Sequence, residues 1–168
     1  MADLEAFVNW FESSEEHSAP ARLLAERDRA YYHGDQLTDE ERATLKRRGQ
    51  PPIVVNRIRR RVDYLRGLEI QQRTDPLGVP RTPGHEQGAE AAADAIRYVC
   101  DNNDWDTIRS EVDDELLVEG WGGVEVAHRV KKSGEPEITI KRYRADRLFW
   151  DPHSSERGFS DARYLGAV

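Results

Sequence analysis

Cysteine is almost missing from this chain. Cys100 stands alone, so no internal disulfide can close and no CxxC zinc pair exists. Long apolar runs are missing too, since none approaches the ~18–20 residues that a bilayer-spanning helix needs. The opening MADLEAFVNWFESSEE is acidic and lacks the basic start and apolar middle of a secretory leader. Together these absences predict a protein made in a reducing cytosol, without a membrane partner. A positive excess is also lacking. The formal net charge of -7 removes bulk attraction to DNA or anionic lipid, so any nucleic-acid contact has to be local.

Catalytic constellations are equally scarce. His17, His33, His85, His128 and His153 are scattered, and none has a partner at metal-ligand spacing. No G-x-S-x-G occurs, and no base lies near Cys100 in sequence. Asp101-Asn102-Asn103-Asp104-Trp105-Asp106 has the flavour of a calcium loop. It nevertheless places Asp106 where glycine is needed and Val112 where a bidentate carboxylate is needed. An interhelical Asx turn accounts for it better than a metal-dependent hydrolase does. Gly120-Trp121-Gly122-Gly123 leads from helix to strand, the reverse of a phosphate-binding loop, and predicts a close-packed crossing. No enzyme, cofactor or metal is expected.

What the chain has is charge. Charged residues make up 34% and mean hydropathy is -0.82, so little apolar surface is available for a private core. The most informative stretch is Gly49–Asp75. Pro51 and Pro52 force an extended entry through Ile53, Val54 and Val55, and Asn56 stands at a helix N-cap position. Ile58, Val62, Leu65 and Leu68 then mark one apolar stripe, while Arg57, Arg59, Arg60, Arg61 and Arg66 occupy the remaining surface.

Upstream, Leu4, Phe7, Val8 and Phe11 predict a first helix, with Asp3 and Glu5 near its positive end. The polar run Ser13–Ser18 should end it. Pro20 should open a second helix carrying Leu23, Leu24, Arg27 and Tyr31 and stopped by Gly34. Thr38 and Glu41 have capping-box spacing for a short helix ending at Gly49. Downstream, Pro76, Pro80 and Pro83 with Gly78 and Gly84 predict a loop over 76–85. A helix follows with Ala92, Ile96, Val99 and Cys100 on its apolar face, then one with Ile108, Val112, Leu116 and Leu117. Its last turns crowd Glu111, Asp113, Asp114, Glu115 and Glu119, which oppose the helix dipole and call for a cationic neighbour.

From Trp121 the period changes to two. Val124, Val126, His128 and Val130 predict a half-buried strand, Ile138 and Ile140 its hairpin partner, and Leu148–Trp150 a third run. A last strand begins near Ala162 and reaches the final residue, as if the chain were cut short. The reading is therefore α+β: a helical region over 1–75, a loop over 76–85, and an acidic helical pair with antiparallel strands over 86–168.

Several of these motifs occur in a familiar order. Tyr32, Gly34-Asp35-Gln36, Gly49-Gln50-Pro51-Pro52, Asn56-Arg57-Ile58, Gly67-Leu68-Glu69 and Arg73-Thr74-Asp75 are followed by Glu119-Gly120-Trp121-Gly122. Leu148-Phe149-Trp150-Asp151-Pro152 and Ser160-Asp161-Ala162-Arg163-Tyr164 complete the series. This succession, from Arg27 to Leu165, resembles the N-terminal part of portal proteins from short-tailed bacteriophages and related prophages. Leu37 departs from the pattern, where that family often has Trp. The resemblance implies the outer wing of a ring-shaped oligomer, usually dodecameric, at a capsid vertex. It further implies capsid and scaffolding proteins, terminase and neck or adaptor proteins as partners, and double-stranded DNA passing through the channel. The virion and, during assembly, the host cytoplasm are the implied locations.

Arg57, Arg59, Arg60, Arg61 and Arg66, with Glu111, Asp113, Asp114 and Glu115, are then candidates for pairing between helices or subunits. Trp121 and Trp150 are candidate packing anchors. The competing reading is a nucleic-acid-binding module that uses the Arg57–Arg73 helix.

Overall fold

In the computed structural model, which describes residues 4–156 and 158–168, five α-helices precede two small antiparallel sheets. This is the α+β order read from the sequence. Helix α1 spans Leu4–His33, α2 Asp39–Arg47, α3 Arg57–Gln71, α4 Glu86–Asn102 and α5 Trp105–Glu119. Strands β1 (Gly123–Val130) and β2 (Pro136–Tyr143) form a hairpin, and β3 (Leu148–Trp150) pairs with β4 (Leu165–Ala167). Asp3 lies outside the described residues. No helix among them is long and apolar enough to cross a membrane.

The sequence predicts two helices divided at Ser13–Ser18, whereas the structure has a single one with Pro20 inside it. Proline removes one backbone N–H from the ladder, at a cost of about 3 kcal/mol. Tertiary bonds from the supposed break offset that loss. Ser14 and Ser18 are buried, and their small side chains let β3 approach closely. The Trp150 N–H donates to Ser14 Oγ at 3.0 Å. Arg22 donates to Ser18 Oγ at 2.8 Å and to the carbonyls of Asp146 and Leu148 at 2.9 and 2.6 Å. The residues read as a break are the docking face.

An aromatic seam extends this contact. Trp10 stacks on Tyr164 at 5.2 Å, and Phe11 meets the edge of buried Phe149 at 5.8 Å. Elsewhere the apolar cover is thin. Ala25, Ala93, Ala145 and Phe149 are the buried apolar side chains among the described residues. Such a small core leaves many large apolar groups in water.

Two apolar faces differ in phase from their prediction. On α4, Ala93 is buried while Ala92 and Ile96 are exposed. The preceding loop sets this phase, because Gly78 lies so close to the Ala89 carbonyl that a Cβ would collide, and Arg97 donates to the Pro76 carbonyl at 3.3 Å. On β1, Val126 and Val130 are each 66% exposed, and Ala127 is half-buried instead. The hairpin is anchored from the β2 side. Asn103 accepts from the Ile140 N–H at 2.9 Å and donates to the Ile138 carbonyl at 3.0 Å.

Candidate interaction surface

Asn56 fixes where α3 points. Its Oδ1 accepts the Arg59 N–H at 3.0 Å, as an N-cap does. Its Nδ2 donates to the carbonyls of Tyr32 and Tyr31, at 2.8 and 3.3 Å, so the same side chain also caps the C-terminus of α1. Gln36 Nε2 joins both partners, donating to the Tyr31 carbonyl at 3.1 Å and to Asn56 Oδ1 at 3.2 Å. Gly34, at φ 93°, supplies the left-handed turn between them. Between α1 and α3, the Thr38–Glu41 capping box starts α2 as the spacing predicts.

The arginines of α3 divide into two groups. Arg66 lies 3.3 Å from Asp114 on α5, and Arg59 lies 3.6 Å from Asp63 on its own helix. Arg57, Arg60 and Arg61 are exposed, and none pairs with a carboxylate among the described residues. At the far end of α3, Arg73 grips Glu69 with two bonds of 3.0 and 2.8 Å, and Arg109 of α5 adds a third contact at 2.8 Å. The Arg73 hydrogen bonds hold the Glu69 carboxyl below its usual range.

The acidic α5 finds its cations mostly outside α3. Arg142 of β2 reaches Glu115 at 2.6 Å and Glu111 at 3.0 Å, and Arg29 of α1 holds Glu119 with bonds of 2.8 and 2.6 Å. Asp113 is half-buried and forms no ion pair among the described residues. Burial pushes the Asp114 and Glu115 carboxyls up, against the opposing pull of Arg66 and Arg142 respectively. Asp114 Oδ1 and Glu115 Oε2 are buried and lack a hydrogen-bond partner among the described residues. Arg29 and Arg142 carried no sequence signal, because each lies far from its partner along the chain.

Trp121 and Trp150 meet edge-on at 5.9 Å, and Trp121 Nε1 donates to the Ala145 carbonyl at 2.9 Å. Both line a largely apolar cleft of about 540 Å³ between the two sheets, with Leu148 and Phe159. The glycines beside Trp121 allow the tight crossing expected there: a Cβ on Gly122 would sit 3.3 Å from the Val112 carbonyl, and one on Gly123 3.1 Å from Leu148.

The corner after β3 was not foreseen as a site. Asp151, 1% exposed, receives two bonds from the Arg163 guanidinium at 2.8 and 3.3 Å. The backbone N–H groups of His153 and Arg163 add bonds of 3.0 and 3.1 Å. Asp161 accepts from the Ser154 and Ser155 hydroxyls and from the Ser155 and Glu156 N–H groups. Both carboxyls are held well below the ordinary range, Asp151 chiefly by Arg163 and Asp161 chiefly by Ser154. The spacing Asp151…Asp161-x-Arg163 is the signal that could have revealed them.

A family model described as phage P22-like portal protein matches residues 8–168. A portal protein of Helicobacter pylori bacteriophage KHP30 is 24% identical over 133 residues, which cover 79% of this chain and 22% of that protein. The chain thus spans about a fifth of the length of the curated relative it matches.

Proposed function

Because the chain belongs to the phage P22-like portal protein family, we propose that it forms part of a ring-shaped, non-catalytic oligomer at one capsid vertex, through which phage DNA is packaged and ejected. The family match across residues 8–168 carries this reading. The thin core agrees with it, since a chain that leaves Leu23, Val126 and Ile53 in water has apolar surface for neighbours to cover. A closed ring uses head-to-tail contacts, in which one patch of each subunit meets a different patch of the next. In this reading, exposed Arg57, Arg60 and Arg61 belong to subunit contacts. Arg59, Arg66, Glu111, Asp114 and Glu115 pair within the subunit, Asp113 stays unpaired among the described residues, and Trp121 and Trp150 anchor the sheets of the wing.

The other copies of the chain are the first partner. Capsid and scaffolding proteins, terminase, neck or adaptor proteins and the translocating duplex complete the set. The protein resides in the virion and, during assembly, in the host cytoplasm. Negative-stain images of the intact protein under assembly conditions should show rings with a central opening. Particles the size of single subunits at every concentration and ionic strength tried would refute the reading.

A second reading has one observation in its favour: three exposed arginines without an anion among the described residues. A duplex-binding α3 predicts affinity that falls steeply with salt, through release of phosphate counterions. Replacing Arg59, Arg60 and Arg61 by Glu should then abolish binding. Unchanged binding removes this alternative.

A further inference from the structure

The sequence offers the acidic α5 as the natural anion for the α3 arginines, but α5 is largely occupied within its own subunit. Glu111 and Glu115 engage Arg142, Asp114 faces Arg66, and Glu119 is held by Arg29. Arg57, Arg60 and Arg61 have no carboxylate partner on α5, and they remain available to another surface.

At ~100° per residue, Arg57, Arg60, Arg61 and Tyr64 fall on one side of α3. Arg66, on the opposite side, faces α5. Tyr64 is 66% exposed in the middle of this outer face. The same construction on α1 places Ser14, Ser18 and Ala25 on the buried side, with Glu5, Val8, Glu12, Glu16 and Leu23 opposite them. Glu5, Glu12 and Glu16 are exposed and form no ion pair among the described residues. Val8 is exposed between Glu5 and Glu12, at 45%, and Leu23 is exposed at 67%, about two turns beyond Glu16. One helix presents cations beside an aromatic ring, and the other presents anions beside aliphatic side chains. Apolar groups inside a charged rim are the composition of a protein interface.

The two faces cannot satisfy each other within one subunit. The start of α3 is tied by Asn56 to Tyr31 and Tyr32, at the C-terminal end of α1. Glu16 lies fifteen residues before Tyr31, roughly 22 Å away along the helix. Two complementary patches, distant and different, describe a head-to-tail contact.

We infer that the outer face of α3, carrying Arg57, Arg60, Arg61 and Tyr64, docks on the outer face of α1, carrying Glu5, Glu12 and Glu16, of a second copy of this chain. The inference rests on the ring reading and names the surfaces that would join its subunits. A second copy is favoured over duplex DNA for two reasons. The acidic face supplies the needed charge in a molecule of net charge -7, and both faces carry apolar groups that a phosphate backbone would leave uncovered.

The test is a charge exchange in the intact protein, followed by sedimentation velocity over a range of concentration and salt. Glu12→Arg with Glu16→Arg, or Arg60→Glu with Arg61→Glu, should each raise the concentration needed for assembly by roughly tenfold or more, because like charges then face each other. Combining the two pairs should restore most of the assembly. Glu12→Gln with Glu16→Gln should weaken it by a smaller factor, and circular dichroism should show unchanged helix in every variant. If the unmodified protein assembles and the reversals leave it unaffected, the interface is wrong while the ring stands. Failure of the combined variant to recover would overturn it too. Arginine reversals that abolish duplex binding without touching assembly would assign the face to DNA. An unmodified protein that never assembles defeats the ring reading, and this inference with it.

Discussion

Two pairs of carboxylates behave in opposite ways. In the corner after β3, Asp151 and Asp161 accept several hydrogen bonds each and are held below the ordinary range. On α5, Asp114 and Glu115 have arginines close by, yet burial pushes them up, and each keeps one buried oxygen without a hydrogen-bond partner among the described residues. Proximity of a cation is therefore a poor guide. The number of donors actually aimed at a carboxylate decides whether a buried charge stabilises its surroundings or burdens them. The corner is a locked joint, and α5 is a strut under partial electrostatic load.

The contrast breaks most visibly at Asp151. Asp151→Asn keeps the shape but removes the charge that Arg163 and two N–H groups address. Thermal unfolding should fall by on the order of 10 °C, with a smaller fall for the exposed Asp161→Asn. A drop no larger than that of a surface substitution would end the idea of a locked corner. Ser14→Ala comes next. It leaves the half-buried Trp150 N–H without its acceptor and should cost about 1 kcal/mol in denaturant unfolding. An unchanged midpoint would mean that the aromatic seam and the Arg22 bonds hold α1 and β3 without Ser14.

pH separates the two regions by sign. A carboxyl lowered in the folded state contributes stability that is present above its unfolded value, near pH ~3.9, and is lost as pH falls through the folded value. A carboxyl raised in the folded state does the reverse: the folded form binds the proton more tightly, so stability is regained as pH falls from the raised value toward the unfolded one. As pH falls toward ~4, α5 should therefore add stability, and below pH ~4 the corner should remove it. Denaturant midpoints measured across this range should show the rise before the fall. The double variant Asp114→Asn, Glu115→Gln should abolish the rise, and Asp151→Asn should flatten the fall. At neutral pH the same α5 double variant should produce the smallest effect, neutral or stabilising by under about 1 kcal/mol. A large destabilisation would show that those charges brace the helix after all.

Elements with local causes were legible in the sequence. Asn56, the Thr38–Glu41 box, the tight Gly122–Gly123 crossing and the hairpin all follow from chemistry within a few residues. Features decided by distant partners were not. The Ser13–Ser18 run looked like a break because its buried acceptors serve Trp150 and Arg22, the former more than a hundred residues away. Asn56 was readable as a cap for α3 but not for α1, since Tyr31 and Tyr32 reach it only through the fold. The face of α4 was displaced by one residue because the Gly78 loop, not the periodicity of α4, selects which alanine is covered. Among the candidate site residues, Arg66 pairs with Asp114 of α5, while Arg57, Arg60 and Arg61 stay exposed without a carboxylate among the described residues. Arg29 and Arg142, which engage the acids of α5, left no trace in the spacing.

The proposed role stands or falls with whether subunits of this family member close into a ring. Native mass spectrometry of the intact protein, taken directly from assembly conditions, measures that most simply. The prediction is one dominant species of fixed, high subunit number, dissociating as salt is raised. A monomer at every concentration and ionic strength, or an open-ended ladder of sizes, would contradict it.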